Sequence, residues 1–230
     1  MQASRFLLEC GKSPPQFFEG LTSPELEVIL AAATQRHFPA KSVIAKQGEP
    51  ANHLFVLTKG RARFSFTTQE GKTTLLLWLA PGQVLGAAAL LTKPSLYIVT
   101  TEAVEACTTW VWDRATIRSL AGRYTRLVEN ALSTASEYLS WYCAAHAALI
   151  TQSASRRLSQ VIVCLAQTIG HQAPDGVELD VTNEELASAA NITPFTTSRL
   201  LGKWQRSGAI TKRRGKILLR SMNDFLSLNS

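Results

Sequence analysis

Acidic residues are what this chain is short of. Against 24 lysines and arginines it has 17 aspartates and glutamates, for a net charge of +7 and an isoelectric point near 9.5. Between Arg199 and Arg220 there is no acid at all. That balance calls for an anionic partner, nucleic acid or a membrane surface, and leaves the distribution of charge to decide between them. Cysteine is scarce too. Cys10, Cys107, Cys143 and Cys164 are scattered, with no C-x-x-C pair and no histidine at zinc spacing, which excludes a disulfide scaffold and a zinc finger and fits a reducing compartment. No apolar run is long enough for a membrane: "LLLWLAPGQVLGAAALL" at 75–91 is broken by Pro81, Gly82 and Gln83 before either half reaches the roughly 20 residues of a span. It reads as two buried segments around a turn. The amino terminus lacks an uninterrupted signal-peptide core, so a cytoplasmic protein is expected. Catalytic signatures are missing as well. There is no glycine-rich phosphate loop and no serine, histidine and aspartate set whose closeness the sequence supports, and Glu102 and Glu105 read as solvated positions; the chain is not expected to be an enzyme.

What is present is a globular composition, 46% hydrophobic and 18% charged over 230 residues, enough for one medium domain and a smaller one. Three zones follow one another. From about 36 to 112, β-branched and aromatic residues are punctuated by Gly48, Gly60, Gly71, Pro81-Gly82, Gly86 and Pro94, the spacing of short strands in an antiparallel roll, with "QEGK" as a hairpin turn. Before it, "TSPELEVILAAAT" predicts a short helix with Ser23 as cap, Pro24 at the first helical position and Leu26, Ile29 and Leu30 on one face. The second zone, about 113 to 170, has no proline and reads as helix almost throughout. Val128, Ala135, Tyr142 and Leu149 recur every seven residues there, with Ala131, Tyr138 and Ala145 between them and Leu132, Leu139 and His146 alongside. That 3.5-residue period marks a seam for a second helix, assigned to Val128, Leu132, Ala135, Leu139, Tyr142 and Leu149 of a homodimer. The alternative is a stripe packed on its own roll. The predicted domains are 1–124 for the roll with its leading helices, 125–150 for the dimerisation helix and 151–230 for the remainder.

The third zone is the most explicit. Thr182 and Glu185 have the spacing of a capping box, so a helix starts there and turns Leu186, Ala187 and Ala190 inward. Asn191 and Ile192 make a turn, Thr193 caps a second helix with Pro194 in its first position, and Gly208 ends it. With "AITKRRGKILL" as a hairpin, the pattern is a winged helix-turn-helix. Thr197, Leu200, Leu201 and Trp204 share one side of the second helix; Phe195, Ser198, Arg199, Gly202 and Arg206 share the other. Double-stranded DNA is the expected partner. Arg199 can grip guanine O6 and N7, Ser198 offers a hydroxyl, and Gly202 lets the backbone approach the groove. Phe195 either touches a thymine methyl or tucks back into its own domain. Thr193, Thr196, Lys203, Arg206, Lys212, Arg213, Arg214 and Lys216 complete the DNA-binding set, the cations as a phosphate clamp. The competing reading is an effector-binding or protein-interaction module whose winged helix docks protein.

The stretch "TNEELASAANITPFTTSRLLGKWQRSGAI" resembles the DNA-binding end of the bacterial CRP/FNR transcription regulators, and "IAKQGEPANHLFVLTKGRARF", with Gly48, Glu49 and Gly60, is similar to their cyclic-nucleotide-type sensor. The likeness covers about residues 20–226. It implies an α+β protein with an N-terminal antiparallel β-roll, a long dimerisation helix and a C-terminal winged helix-turn-helix. It also implies a homodimer on a pseudo-palindromic operator, with RNA polymerase as a further partner. Ser198 and Arg199 match the family's base-reading serine and arginine, while Phe195 stands where most relatives have a glutamate. Nucleotide-binding relatives carry Gly-Glu for the ribose and Arg-Ser for the phosphate; here Gly86-Ala87 and Tyr97-Ile98 occupy those places. Without the acid and the arginine, charge-assisted bonds worth roughly 1.5 to 3 kcal/mol each are lost, so cyclic AMP and cyclic GMP are not expected. Nor is an iron–sulfur cluster, which needs several amino-terminal cysteines. Haem stays open through the single histidines His37, His53, His146 and His171. A small apolar effector held by Leu85, Gly86, Ala87, Ala88, Tyr97 and Tyr138 in an uncharged roll interior is one reading, and a filled roll that binds nothing is the other.

Overall fold

The computed structural model describes residues 15–213 and 215–227. Its contacts divide into two compact units, one running to Thr73 and from Leu79 to Trp141, the other from Tyr142 onward together with Thr74–Trp78.

In the first unit a turn of 3-10 helix at Gln16–Phe18 precedes helix α1 (Ser23–Ala31). Its cap is Thr22, not Ser23, and Pro24 is the second helical residue. The shift has a simple cause. A capping box needs an acid three residues beyond the cap, and Glu25 stands in that relation to Thr22, accepting from its backbone N–H and its hydroxyl at 2.8 Å each.

Eight strands follow: β1 (Thr34–Phe38), β2 (Val43–Ala45), β3 (His53–Lys59), β4 (Ala62–Thr67), β5 (Thr73–Leu79), β6 (Val84–Leu85), β7 (Thr100–Ala103) and β8 (Cys107–Asp113). They form two four-stranded sheets in the orders β1-β8-β3-β6 and β2-β7-β4-β5, with every registered pair antiparallel. The "QEGK" segment is the β4–β5 turn, closed by Thr68 N–H to Lys72 O and Gly71 N–H to Thr68 O. Strand β3 reads as a continuous apolar run because it is covered on both sides: Leu54 through Leu57 are all buried. Leu54 and Val56 join Trp110 and Trp112 of β8, Ile29 and Leu30 of α1, and Ile117 in a single core with Leu127 and Ala131. Glu105, read as solvated, is exposed and also ion-paired with Arg61 at 3.2 Å, whereas Glu102, read the same way, is half-buried and ion-paired with Arg63 at 3.0 Å.

The proline-free zone becomes α2 (Arg114–Arg123), α3 (Arg126–Thr151) and α4 (Ala154–Thr168). Helix α2 is capped by Asp113, which accepts from Thr116 N–H at 2.9 Å; α4 is capped by Ser153, which accepts from Arg156 N–H at 3.2 Å. Helix α3 has two unlike faces. Leu127 and Ala131 are sealed in the roll's core, whereas Leu132 and Leu139 are 67% and 65% exposed and Val128, Tyr142 and Leu149 are exposed beside them.

The second unit packs α4 through Leu158, Ile162, Val163, Leu165 and Ala166. Strands β9 (His171–Ala173) and β10 (Gly176–Asp180) follow, then α5 (Asn183–Ala190), α6 (Pro194–Arg206), β11 (Ile210–Arg213), β12 (Lys216–Leu219) and α7 (Met222–Ser227). The sheet order is β11-β12-β10-β9, so the wing hairpin continues into a small antiparallel sheet.

The buried Trp112 indole donates to the carbonyl of Ile29 at 2.8 Å, tying β8 to the last turns of α1. Trp112→Phe keeps a ring but leaves that carbonyl and a small void unfilled, and is expected to destabilise the first unit by about 1–3 kcal/mol. Urea unfolding followed by circular dichroism checks it: the transition of the second unit should stay where it is.

Candidate nucleic-acid interface

The helix-turn-helix is built from local rules that hold in three dimensions. Thr182 accepts from Glu185 N–H at 3.2 Å while Glu185 accepts from Thr182 N–H at 2.8 Å, closing the box that starts α5. Asn191 ends that helix in the left-handed region, φ 49°, a conformation that asparagine tolerates better than most residues. Two residues later Thr193 caps α6, accepting from Thr196 N–H at 3.1 Å, with Pro194 in the first turn. Its hydroxyl also meets that of Thr196 at 3.0 Å. Both threonines named for DNA contact are therefore engaged in starting the helix.

The two faces of α6 separate as their spacing demands. Thr197, Leu200, Leu201 and Trp204 are buried, and Trp204 meets Phe225 of α7 edge-on with ring centroids 4.8 Å apart. On the opposite side Phe195 is 79% exposed, so it does not tuck back into its domain. Ser198, Arg199, Lys203 and Arg206 are exposed with it, and Gly202 is half-buried between them. A phenyl ring, a hydroxyl and three cations thus share one outward surface on a helix whose orientation is set by its apolar side.

The wing is less uniform than its sequence. Arg213 is exposed and Lys212 half-buried, while Arg214 lies outside the described residues. Lys216 has company. β10 pairs with β12 so that Asp180 stands opposite Lys216, and the ammonium lies 2.6 Å from Glu178 and 3.4 Å from Asp180. The hydrogen bond that Lys216 donates to Glu178, and then the charge of Asp180, raise the Lys216 pKa. A lysine already matched by two carboxylates has less charge to offer a phosphate than Lys212 or Arg213.

The six residues named for an effector do not line one cavity. Leu85 is buried. Tyr138 lines a recess of about 240 Å³ with Gln16, Phe17 and residues 81–84, its ring edge-on to Phe64 at 6.0 Å. Tyr97 lines a different recess of about 280 Å³, beside Arg36, Phe38, His53 and Phe55, so the space around it is charged and not the uncharged interior that the sequence suggests. Gly86, Ala87 and Ala88 line neither recess. The Tyr97 hydroxyl donates to His53 O at 2.9 Å and accepts from His53 N–H at 3.1 Å. Gly86 sits in the left-handed region, φ 78°, where a Cβ would fall 2.5 Å from His53 O and 3.2 Å from the Tyr97 ring; only glycine fits beneath that tyrosine. Among the described residues no cluster of three metal-ligating side chains occurs. His37 is bonded to Thr108 at 3.0 Å, and His53 faces Arg36 at 3.4 Å.

Comparison with known proteins agrees with this geometry. A model of the cyclic nucleotide-binding domain matches residues 35–124, and a model of the Crp-like helix-turn-helix domain matches residues 156–226, together well over half of the chain. The chain belongs to the CRP/FNR family. It is similar to the cAMP-activated global transcriptional regulator CRP of Haemophilus influenzae, 25% identical over 191 residues that cover 77% of this chain and 80% of that protein. It is also similar to the CRP-like cAMP-activated global transcriptional regulator of Mycobacterium tuberculosis, 23% identical over 226 residues, or 91% and 94% of the two chains. Among solved structures, the c-di-GMP responsive global regulator CLP of Xanthomonas campestris superposes with a TM-score of 0.75 at 18% identity, covering 87% of this chain and 100% of that one. At that identity the likeness establishes a shared fold. This CRP/FNR-family chain is thus a transcription regulator with a DNA-binding helix-turn-helix, and no helix among its described residues is long and apolar enough to cross a membrane.

The charge environments of the wing make a specific difference measurable. Replacing Lys212 by Gln should lower the slope of log affinity against log salt by about 0.9, the value for one phosphate contact on duplex DNA. Lys216→Gln should leave the slope nearly unchanged. Equal slopes for the two variants would show that the pairing with Glu178 and Asp180 gives way on binding.

Proposed function

We propose that this protein is a homodimeric, sequence-specific regulator that reads a pseudo-palindromic operator. Its two α6 helices enter successive major grooves about one helical turn, roughly 34 Å, apart. The observation that carries the reading is the outward face of α6: Phe195, Ser198 and Arg199 stand in the open on a helix clamped from behind by Leu201 and Trp204. Arg199 reads guanine, Ser198 its neighbour, and Phe195 a thymine methyl, where an acid would have favoured cytosine. Lys203, Arg206, Lys212, Arg213 and Arg214 hold phosphates. Dimerisation falls to the exposed column of α3, Val128, Leu132, Ala135, Leu139, Tyr142 and Leu149, because a helix that leaves such side chains in water lacks a partner surface. RNA polymerase as the partner on DNA and the cytoplasm as the place of action complete the proposal, which membership of the CRP/FNR family supports.

The sensor does not use a cyclic nucleotide. Its curated relatives are named for activation by cAMP, but Ala87 has no carboxylate for a ribose and Ile98 no hydroxyl. Tyr97, at the place of the phosphate-binding arginine, offers a hydroxyl already bonded to the His53 backbone on both sides.

Selecting duplexes from a random pool with the purified protein tests the whole reading. A palindromic consensus is expected, and failure to enrich any duplex at low salt would instead favour a winged helix that docks protein. Leu139→Glu should shift the protein to monomer in sedimentation and cost operator affinity in the same titration; an intact dimer would remove α3 as the seam. Saturating cAMP should leave the melting temperature unchanged. A ligand at one hundred times its dissociation constant adds about 2.7 kcal/mol and would raise it by several degrees.

A further inference from the structure

Arg157, in the first turn of α4, divides its guanidinium between two helix ends. Nη1 donates to Gln152 O at 2.8 Å, Nε to Ala190 O at 3.0 Å and Nη2 to Asn191 O at 3.3 Å. Gln152 closes the last turn of α3, its own N–H bonded to Ala148 O at 3.0 Å. Ala190 and Asn191 close α5, two residues before the cap of α6. Carbonyls at helix carboxyl ends are those the helix leaves without partners, and they carry the negative end of its dipole. One planar, permanently charged fork meets that need at both ends at once, which a lysine ammonium cannot do.

The placement matters because of what lies between. Helices α3 and α4 are joined only through Gln152 and Ser153, with Ser153 extended at φ −66° and ψ 157°. The link's own bonds, Gln152 N–H to Ala148 O on one side and Ser153 Oγ accepting from Arg156 N–H on the other, hold it to α3 and to α4 in turn and leave the dihedrals between them to act as a swivel. Arg157 bridges across it, from the end of α3 to the turn that launches α6.

We propose that Arg157 is a positioning residue that joins the end of α3 and the helix-turn-helix into one lever. The separation of the two reading helices in a dimer is then set by this clamp and not by the Gln152–Ser153 link. The proposal rests on the DNA-binding dimer described above. Arg157 touches no DNA in this scheme; it acts by holding Asn191, and through it the start of α6, at a fixed place relative to α3.

The test uses the full-length protein and the duplex that it enriches from a random pool, together with variants of that duplex carrying one or two base pairs inserted between half-sites, and a non-operator duplex. Arg157→Lys keeps the charge and loses the fork. It should bind the selected duplex about tenfold more weakly, the loss expected when charged hydrogen bonds are broken, and should tolerate the inserted base pairs that wild type rejects. Its affinity for the non-operator duplex and its salt slope should be unchanged, and hydrogen exchange should quicken at the amides of Asn191 and Ile192 while the middle of α6 stays protected. If Arg157→Lys merely melts earlier, with specific and non-operator binding weakened together and the spacing preference intact, the clamp is ordinary stabilisation and the proposal fails. Ser153→Gly gives an independent reading, because glycine is tolerated at a helix cap and loosens the link while Arg157 remains. Spacing preference should survive it; relaxed spacing would make the link the determinant and overturn the proposal. A wild-type protein that enriches no duplex would sink the DNA-binding reading and this proposal with it, whereas wild-type binding with a fully wild-type Arg157→Lys sinks the clamp alone.

Discussion

Burial of Leu201 and Trp204, at 0% and 2% exposure, sets the rotation of α6 about its own axis, and the outward chemistry of the helix depends on that setting. Two such side chains contribute roughly 1.5 to 3 kcal/mol each on leaving water, more than any single exposed contact on the other side. Rotating the helix by one residue, about 100°, would expose Trp204 and bury a cation. The apolar side therefore aims Phe195, Ser198 and Arg199 outward without any of the three contributing to the fold. The phenyl ring at position 195 is tolerable in water for the same reason: its exposure costs far less than the core it would disturb by turning in.

Helix α3 shows the same constraint acting twice. Leu127 and Ala131 anchor its first turns in the roll's core, and Tyr138 turns toward Phe64 of β4. The heptad columns visible in the sequence thus serve two masters. The column through Ala131 and Tyr138 faces the roll, and the one through Leu132 and Leu139 is left in water. The reading of the stripe as packed on its own roll thus has residues to its name, and the exposed column is the surface that the proposed second chain would cover.

In the roll one phenol organises its neighbourhood. A tyrosine at position 97 cannot do an arginine's work on an anion. Its hydroxyl spends both of its bonding directions on the His53 backbone, and the flat ring lies over Gly86, which must be glycine to fit. The recess beside it is walled by Arg36 and His53. Burial and the Arg36 charge lower the His53 pKa, so the imidazole next to that guanidinium favours its neutral form.

Much of this was written in the order of residues. The Thr182–Glu185 box, the Thr193 cap with Pro194, the α6 faces and the strand-turn spacing of the roll are legible because each depends on residues within a few positions of one another, where helix and hairpin geometry leaves few choices. Even there a one-residue choice between Thr22 and Ser23 as cap turned on where the partnering acid lay. The family resemblance extended the reading to both domains. Tertiary structure alone decided what involves partners far apart in the chain. Sheet pairing brings Glu178 and Asp180 to Lys216 inside a block with no acid in its sequence; chain reversal sends Tyr97 and Tyr138 to separate recesses; and folding delivers Arg157 to the ends of two helices. The physical reason is the same in each case. Electrostatic and hydrogen-bond energies depend on distance through space, and a one-dimensional sequence records that distance only for near neighbours.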